Sequence, residues 1–279
     1  QVGVHPCSHT RSQNDQRIAH IRLLKFALVW RSLGLTARFG ASHHLSLRYT
    51  CGKTEMGKTM RTVIFDLDGT LADTSVDLIN AANTCFRGLG LGDLLDPTQD
   101  AAIAVRGGRM MLTEGFKRAG DIDPAEIDRQ YPVLLQAYAQ DVATHTTLYD
   151  GAMEAVEQLK SDGFAVGVCT NKPEGLAIAV LDALGVRSAF GSLIGADTLP
   201  VRKPDPAPLR AAVERAGGDP MRSLLVGDSI TDLDTSRAMN VPSVMVTFGP
   251  AGMAVADLNP DALIHHYSEL PAVAAELLS

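Results

Sequence analysis

From Arg61 onward, short apolar runs alternate with stretches whose apolar positions recur every three or four residues. That rhythm is the signature of strands and helices taking turns in a parallel sheet. The runs Thr62–Phe65, Ala165–Cys169, Ser192–Gly195, Ser223–Val226, Ser243–Val246 and Ala262–Ile264 predict six strands. Gly151, Gly163, Gly185 and Gly227 punctuate the joins. The expected fold is α/β, a Rossmann-like parallel sheet with helices on both faces. One gap breaks the rhythm: about 98 residues separate the first two strands, where a crossover needs a few dozen at most. Most of that gap reads as helix. Ser75–Leu89 has Asp77, Leu78, Ala81, Ala82 and Cys85 at helical spacing, and Ala125–Val142 repeats the pattern with Ile127, Tyr131, Leu134, Leu135 and Tyr138. Residues 77–147 are therefore expected to form a small helical cap inserted after the first strand. Residues 60–76 and 148–279 would form the core, with the cap overhanging the carboxyl ends of the strands as a lid.

Residues 1–59 do not follow the pattern. They hold nine Lys/Arg against two acidic residues, a surplus of seven, whereas the chain as a whole carries −7. The remaining 220 residues therefore carry −14, which argues against a nucleic-acid-binding surface on the main domain. Ile21–Leu35 is apolar and basic but too short, and too interrupted by Lys25 and Arg31, to span a bilayer. This Arg-rich leader reads either as an organellar presequence or as non-native sequence upstream of a start at Met60 or Met56. The second reading is favoured because Met60 directly precedes the first strand. A cytoplasmic location follows, or an organellar one if the leader is a transit segment. Gly52–Thr59 matches the GxxxxGK[ST] phosphate-loop pattern, but that loop needs a helix to open on its Lys-Thr. Here a strand comes next, so the nucleotide-loop reading fails. Four scattered cysteines form neither a disulfide framework nor a CxxC pair, and Cys169 reads as a small buried hydrophobe.

The chemistry collects where strands end. Val63-Ile64-Phe65 runs straight into Asp66-Leu67-Asp68-Gly69-Thr70, so two carboxylates sit where the first strand stops. Ligands in open α/β sheets bind at those ends. Carboxylates held close together repel unless a cation or a shared proton intervenes, and a hard cation such as Mg²⁺ is the simplest relief. An ordinary Asp-Gly turn is the bland alternative. The second strand ends in Thr170-Asn171-Lys172-Pro173, which offers a hydroxyl and backbone N–H groups to phosphate oxygens, or else a plain helix N-cap. After the third strand, prolines flank Lys203 in Arg202-Lys203-Pro204-Asp205-Pro206; alone, such a lysine is usually solvated. The fourth strand runs into Gly227-Asp228-Ser229-Ile230-Thr231-Asp232, adding two acids. A carboxylate cluster, a hydroxyl and a lysine at one sheet edge make a phosphoryl-transfer site.

FDLDGTLADT, TNKP, RKPDP and GDSITD, in that order, resemble the four motifs of the haloacid dehalogenase superfamily of phosphatases. The position of the helical insertion resembles the cap of one large branch. Finer detail, in LIGADTLPVRKPDP and in VTFGP after the fifth strand, resembles the phosphoglycolate phosphatases. The resemblance covers about residues 60–279. It implies Asp66 as a nucleophile forming an aspartyl-phosphate and Asp68 as general acid, then base. It implies Thr170, Asn171 and Lys203 around the phosphoryl oxygens. Mg²⁺ would be held by Asp66, the backbone carbonyl of Asp68 and Asp228, with Asp232 behind them orienting a metal-bound water or Lys203. The cap turn Val105-Arg106-Gly107-Gly108-Arg109 is the natural selector: Arg106, Gly107 and Arg109 would grip a small carboxylate, or the turn is simply exposed. The activity expected is Mg²⁺-dependent hydrolysis of a small phosphorylated metabolite, 2-phosphoglycolate above others, with no nucleic-acid or membrane partner. The rivals are a β-phosphoglucomutase-like mutase, a broad sugar-phosphate or nucleotide phosphatase, and a regulatory module on a dead phosphatase scaffold. Asp68 argues against a dehalogenase, which has no leaving alkoxide to protonate.

Overall fold

The structure, a computed structural model, describes residues 60–120 and 123–279. The leader and the phosphate-loop-like stretch lie outside the described residues. Strand β1 (Thr62–Phe65) opens the fold where the apolar run predicts it. The main sheet has six parallel strands in the order β5 (Ser192–Ile194), β4 (Ala165–Cys169), β1, β6 (Ser223–Gly227), β7 (Ser243–Val246) and β8 (Ala262–Ile264). All four residues of β1 are buried. Val63 and Phe65 join the core on one face, while Ile64 packs on the other with Leu225, Ile194 and Leu209. Burial on both faces is why these strands read as continuous apolar runs rather than alternating ones.

Strand order places β1 between β4 and β6, so the chain winds outward from β1 in two directions. The crevice at such a reversal is where open α/β sheets bind ligands. Phe65 pairs with Val168 of β4 and Val226 of β6, which brings the residues just after all three strands to one edge.

Two strand limits differ from expectation. β5 stops at Ile194 because the Gly195 amide turns to donate to the Thr198 hydroxyl. β6 continues to Gly227, which pairs with Met245. A short antiparallel pair, β2 (Ala72–Asp73) with β3 (Thr147–Leu148), carries no apolar run of its own and was not expected. Between these two strands the chain forms α1 (Ser75–Gly88), α2 (Ala101–Ala104), α3 (Gly108–Ala119) and α4 (Pro124–Gln140). α4 spans Pro124–Gln140 rather than Ala125–Val142. Asp123 caps it by accepting from the Ala125 amide, and Pro124 occupies its first turn.

Of the stripes read from the sequence, Leu78, Ala81, Ala82 and Cys85 of α1 and Leu134 and Tyr138 of α4 are buried, and Ile79 and Phe86 of α1 and Met111 and Phe116 of α3 join them. The Phe86 and Phe116 rings meet edge to face at 5.1 Å. That contact requires Gly115, since any Cβ there would collide with the Phe86 ring. None of the helices among the described residues is long and apolar enough to cross a membrane.

One buried acid joins the two ends of the helical segment. Asp77, in the first turn of α1, is 3% exposed and accepts from the amides of His145 and Thr146 and from the Thr146 hydroxyl. Asp77→Ala should lower unfolding stability by about 2–3 kcal/mol, because it leaves those amides unsatisfied. A urea titration that moves less than a tenth of that would remove Asp77 from this role.

Farther along the segment, Arg118 donates to both oxygens of Asp100 at 2.7 and 2.6 Å. The Arg118 hydrogen bonds, against opposing desolvation, hold the Asp100 carboxyl below its ordinary value. Its contribution is present above the unfolded carboxylate's pKa of about 4 and lost as pH falls through the lower folded value. The stability gap between wild type and Asp100→Asn should therefore narrow as pH drops from neutral to about 3 in denaturant melts. A gap that is constant with pH would contradict the pair's role.

Candidate active site

The site is built from four strand ends. Asp66 follows β1 directly, its amide donating to Val226 O at 2.9 Å, which ties it to β6. Thr170 follows β4 in the same way, its amide donating to Ile194 O. Asp228 follows β6. Lys203 arrives from the loop after β5, where Asn171 Nδ2 donates to its carbonyl at 3.0 Å. α5 (Ala152–Ser161), α6 (Glu174–Ala183) and α7 (Pro206–Arg215) pack around the sheet. Asp232 lies in the first turn of the next helix, α8 (Ile230–Met239), and α9 (Leu270–Leu277) closes the chain.

Lys203 is 3% exposed and bridges two acids. Its Nζ donates to Asp232 Oδ1 at 2.5 Å and lies 3.1 Å from Asp66 Oδ1. The contact with Asp66 is an ion pair without hydrogen-bond alignment, since Asp66 Oδ1 has no hydrogen-bond partner. Asp232 is fully engaged. Its second oxygen accepts from the Ser229 hydroxyl and amide, closing a capping box at the start of α8. Asp228 Oδ1 accepts from the Thr70 hydroxyl at 3.1 Å, while Asp228 Oδ2 is buried and unpartnered. Gly69 keeps the space beside that oxygen clear. Its φ of +82° suits glycine, and a Cβ there would lie 2.5 Å from Asp228 Oδ2.

Asp68 points elsewhere. Its Oδ1 accepts from the Thr74 hydroxyl at 2.6 Å and from Lys172 Nζ at 2.7 Å. Lys172 is itself buried and lies 4.3 Å from the centre of the Tyr138 ring on α4. The site thus holds four carboxylates (Asp66, Asp68, Asp228, Asp232) and two ammonium groups (Lys172, Lys203), an excess of two negative charges.

That imbalance shows in the titration of the groups. Burial raises the Asp66 carboxyl to about 6; Lys203 pulls it down, and Asp232 and Asp68 push it up again. Burial, then the charges of Asp232 and Asp66, holds Asp228 well above the usual carboxylate range. Burial would lower the Lys203 ammonium, but Asp232 and Asp66 outweigh it and raise the group. The Cys169 thiol, next to these charges, is pushed up to about 12 by burial and stays inert, as a small buried hydrophobe should.

Oxygen donors of Asp66, Asp228 and Asp232 lie within 4.8 Å of one another. Two buried oxygens lack a hydrogen bond, Asp228 Oδ2 and Asp66 Oδ1, the latter facing Lys203, and the site around them carries a net negative surplus. A hard divalent cation fits this donor set.

Above the sheet edge lies a cleft of about 880 Å³. It is lined by Asp66, Asp68, Thr170, Asn171, Lys203 and Asp228 from below, and by Arg106, Gly107 and Arg109 from the helical segment. The turn differs from expectation in one respect. α3 begins at Gly108, so Gly108 and Arg109 are helical and only Val105–Gly107 forms the turn between helices. Arg109 is half-exposed. It donates to Asp128 at 2.6 Å and lies over the Tyr131 ring. Arg106 is exposed.

Sequence reasoning passed over Lys172, Thr74 and Tyr138. Lys172 had a visible signal, standing beside the Thr170-Asn171 pair already singled out. Tyr138 had none, because a tyrosine on an apolar helical stripe reads as core.

The family model for haloacid dehalogenase-like hydrolases matches residues 63–246. A phosphoglycolate phosphatase from Mesorhizobium japonicum is 36% identical over 217 residues, 77% of this chain and 95% of that protein. A phosphoglycolate phosphatase from Caulobacter vibrioides is 38% identical over 223 residues, 78% of this chain and 92% of its own length. Among solved structures, a predicted phosphoglycolate phosphatase from Haemophilus somnus superposes with a TM-score of 0.67 at 23% identity, covering 77% of this chain and 97% of that one. A predicted phosphatase from Clostridium acetobutylicum gives 0.65 at 19% identity, covering 78% and 100%. At such identities the structural likeness bears on the fold, which is the same parallel α/β architecture. With its six-stranded sheet, its acid-and-lysine site at the strand ends and the family match across both, this chain belongs to the haloacid dehalogenase-like hydrolases and is a phosphatase of that family.

Proposed function

We propose that this phosphatase hydrolyses 2-phosphoglycolate to glycolate and phosphate, with Mg²⁺, through an aspartyl-phosphate on Asp66. Residues 77–147 serve as the cap over a core of residues 60–76 and 148–279. The observation that carries the chemistry is the pair of buried oxygens without hydrogen bonds, on Asp66, ion-paired with Lys203, and on Asp228. The match to phosphoglycolate phosphatases over most of the chain supports the substrate.

In this reading Asp66, Asp228 and the backbone carbonyl of Asp68 would hold the metal. When bound, it neutralises the acid cluster and the charge on the phosphoryl oxygens. An Asp66 carboxylate oxygen attacks phosphorus as the bond to the leaving oxygen breaks. Asp68 gives its proton to that oxygen, so the alcohol departs neutral. The Asp68 carboxylate then takes a proton from the incoming water, whose oxygen bonds to phosphorus while the aspartyl-phosphate linkage breaks. Phosphate is released and both aspartates are restored. Thr170, Asn171 and Lys203 hold the phosphoryl oxygens, and Asp232 keeps Lys203 extended toward Asp66. The turn carrying Arg106 and Gly107, with Arg109 behind it, roofs the cleft and limits what enters.

A second reading rests on size. A cleft of about 880 Å³ is roomier than a two-carbon ester requires, and its side walls include Leu134, Leu135, Leu176 and Leu258. A sugar phosphate would fill more of it.

The deciding experiment compares kcat/KM for 2-phosphoglycolate, hexose phosphates, nucleoside monophosphates and an aryl phosphate, with Mg²⁺ and with chelator. A Mg²⁺-dependent preference for phosphoglycolate of about 100-fold, near 2.7 kcal/mol, is the expected result. Asp66→Asn should abolish turnover of every ester while retaining the wild-type circular dichroism spectrum. A flat profile would remove the substrate claim, and an active Asp66→Asn would remove the mechanism.

The metal assignment has a readout apart from activity. Mg²⁺ should raise the melting temperature of the wild type, because it binds the folded state alone. Asp228→Asn relieves the crowding of buried acids, so in chelator it should melt at or above the wild-type temperature. Mg²⁺ should then shift it little. Equal Mg²⁺ shifts in the two proteins would take Asp228 out of the metal site.

A further inference from the structure

The phosphoglycolate reading leaves open which groups receive the substrate's second anion, and the substrate's own length restricts the answer. A single methylene separates the ester oxygen from the carboxylate. With the ester oxygen beside Asp68, the carboxylate must lie within a few ångströms of the same residue.

The cation at that place is Lys172, which is 7% exposed and donates to Asp68 Oδ1 at 2.7 Å. An ammonium offers three donors, and one of them goes to Asp68 Oδ1. Tyr138 stands against it from α4, 1% exposed, with Lys172 Nζ over its ring face and its hydroxyl buried without a hydrogen-bond partner. Buried hydroxyls without partners are rare, and each calls for an explanation. Both side chains line the cleft. The cap arginines are less well placed. Arg109 is held by Asp128 and stacked on Tyr131, so it would have to leave both to reach a substrate on Asp66. Arg106 is exposed to solvent.

We propose that Lys172 and Tyr138 form the carboxylate subsite, the ammonium and the phenol hydroxyl both donating to the substrate's carboxylate. The subsite spans the two parts of the protein, Lys172 coming from the turn after β4 and Tyr138 from the helical segment. A substrate anion would thereby gain contacts on both sides of the cleft at once. Substrates lacking that anion would leave the tyrosine hydroxyl without a partner.

The test compares kcat/KM for 2-phosphoglycolate and for ethyl phosphate, which keeps the short ester but lacks the carboxylate. Lys172 also touches Asp68, so both activities should fall in Lys172→Met, and the ratio between them is the readout. That ratio should fall by about 30-fold in Lys172→Met and about five-fold in Tyr138→Phe, the usual range for losing a charged and a neutral hydrogen bond. Lys172→Arg should recover part of it. Arg106→Ala and Arg109→Ala should change it less than either. A ratio preserved in Tyr138→Phe and in whichever Lys172 variant folds would overturn the subsite. So would a collapse of the ratio in the arginine variants alone. A wild type that already treats the two esters alike would end the phosphoglycolate reading and the subsite with it, whereas a wild-type preference that survives both substitutions defeats the subsite only.

Discussion

Four carboxylates crowd one edge of a parallel sheet with only two lysines among them, and the rest of the structure is arranged around that surplus of charge. Burial raises the carboxyls of Asp66, to about 6, and of Asp228, well above the ordinary range, and the neighbouring acids push both further up. The lysines do not share the load evenly. Lys203 ties Asp232 to Asp66, while Lys172 holds Asp68 off to the other side. The acids are thus divided between a cluster suited to a cation and a lone carboxylate near the cleft. Paired acids set apart by their surroundings are how one site assigns different roles to the same side chain.

The backbone keeps that crowding from collapsing. β1 sits between β4 and β6 with every residue buried, so Asp66 cannot retreat without disturbing the centre of the sheet. The Tyr267 hydroxyl donates to the Thr70 carbonyl at 2.8 Å, fastening the loop that carries Asp68 and Gly69 from beneath. The capping box holds Asp232 at the start of α8, where its negative charge also meets the helix dipole favourably. The crowded charges are therefore held by the central strands and by loops fastened to them, which is the condition for a preorganised site.

Much of this is legible in the sequence. The six strands are short runs buried on both faces, a pattern with few alternatives once Gly and Pro mark the joins. Because parallel strands place all their carboxyl ends on one edge, reading Asp66, Thr170, Lys203 and Asp228 as residues that follow strands is enough to bring them together. The features that escape such a reading have a common cause. The β2–β3 pair is only two residues per strand and has no periodicity to detect. Arg109 reads as a turn residue because Gly107-Gly108 looks like a break, yet a helix can begin on Gly108. Lys172 and Tyr138 are 34 residues apart and belong to different elements, so no local pattern links them. Contacts made across an insertion depend on how its helices pack, and that is decided by shape complementarity such as Phe86 lying on Gly115.

This difference in legibility corresponds to a division of labour in the molecule. The acids and the lysine proposed to act on a phosphoryl group are placed by strand order, which tolerates many changes in the surrounding helices without moving the strand ends. The roof of the cleft is placed by helix packing, through contacts such as Phe86 on Phe116 and links such as Thr146 to Asp77. A core of this kind can keep one reaction while its roof changes substrates. The same reasoning puts the discriminating groups where the two parts touch rather than deep in either. Lys172 is carried by the turn after β4, and Tyr138 rides on α4 of the helical segment. A small ester with an anionic group at each end, held between them, would be recognised only when both parts are correctly placed, and selectivity would then depend on the packing that shapes the cleft.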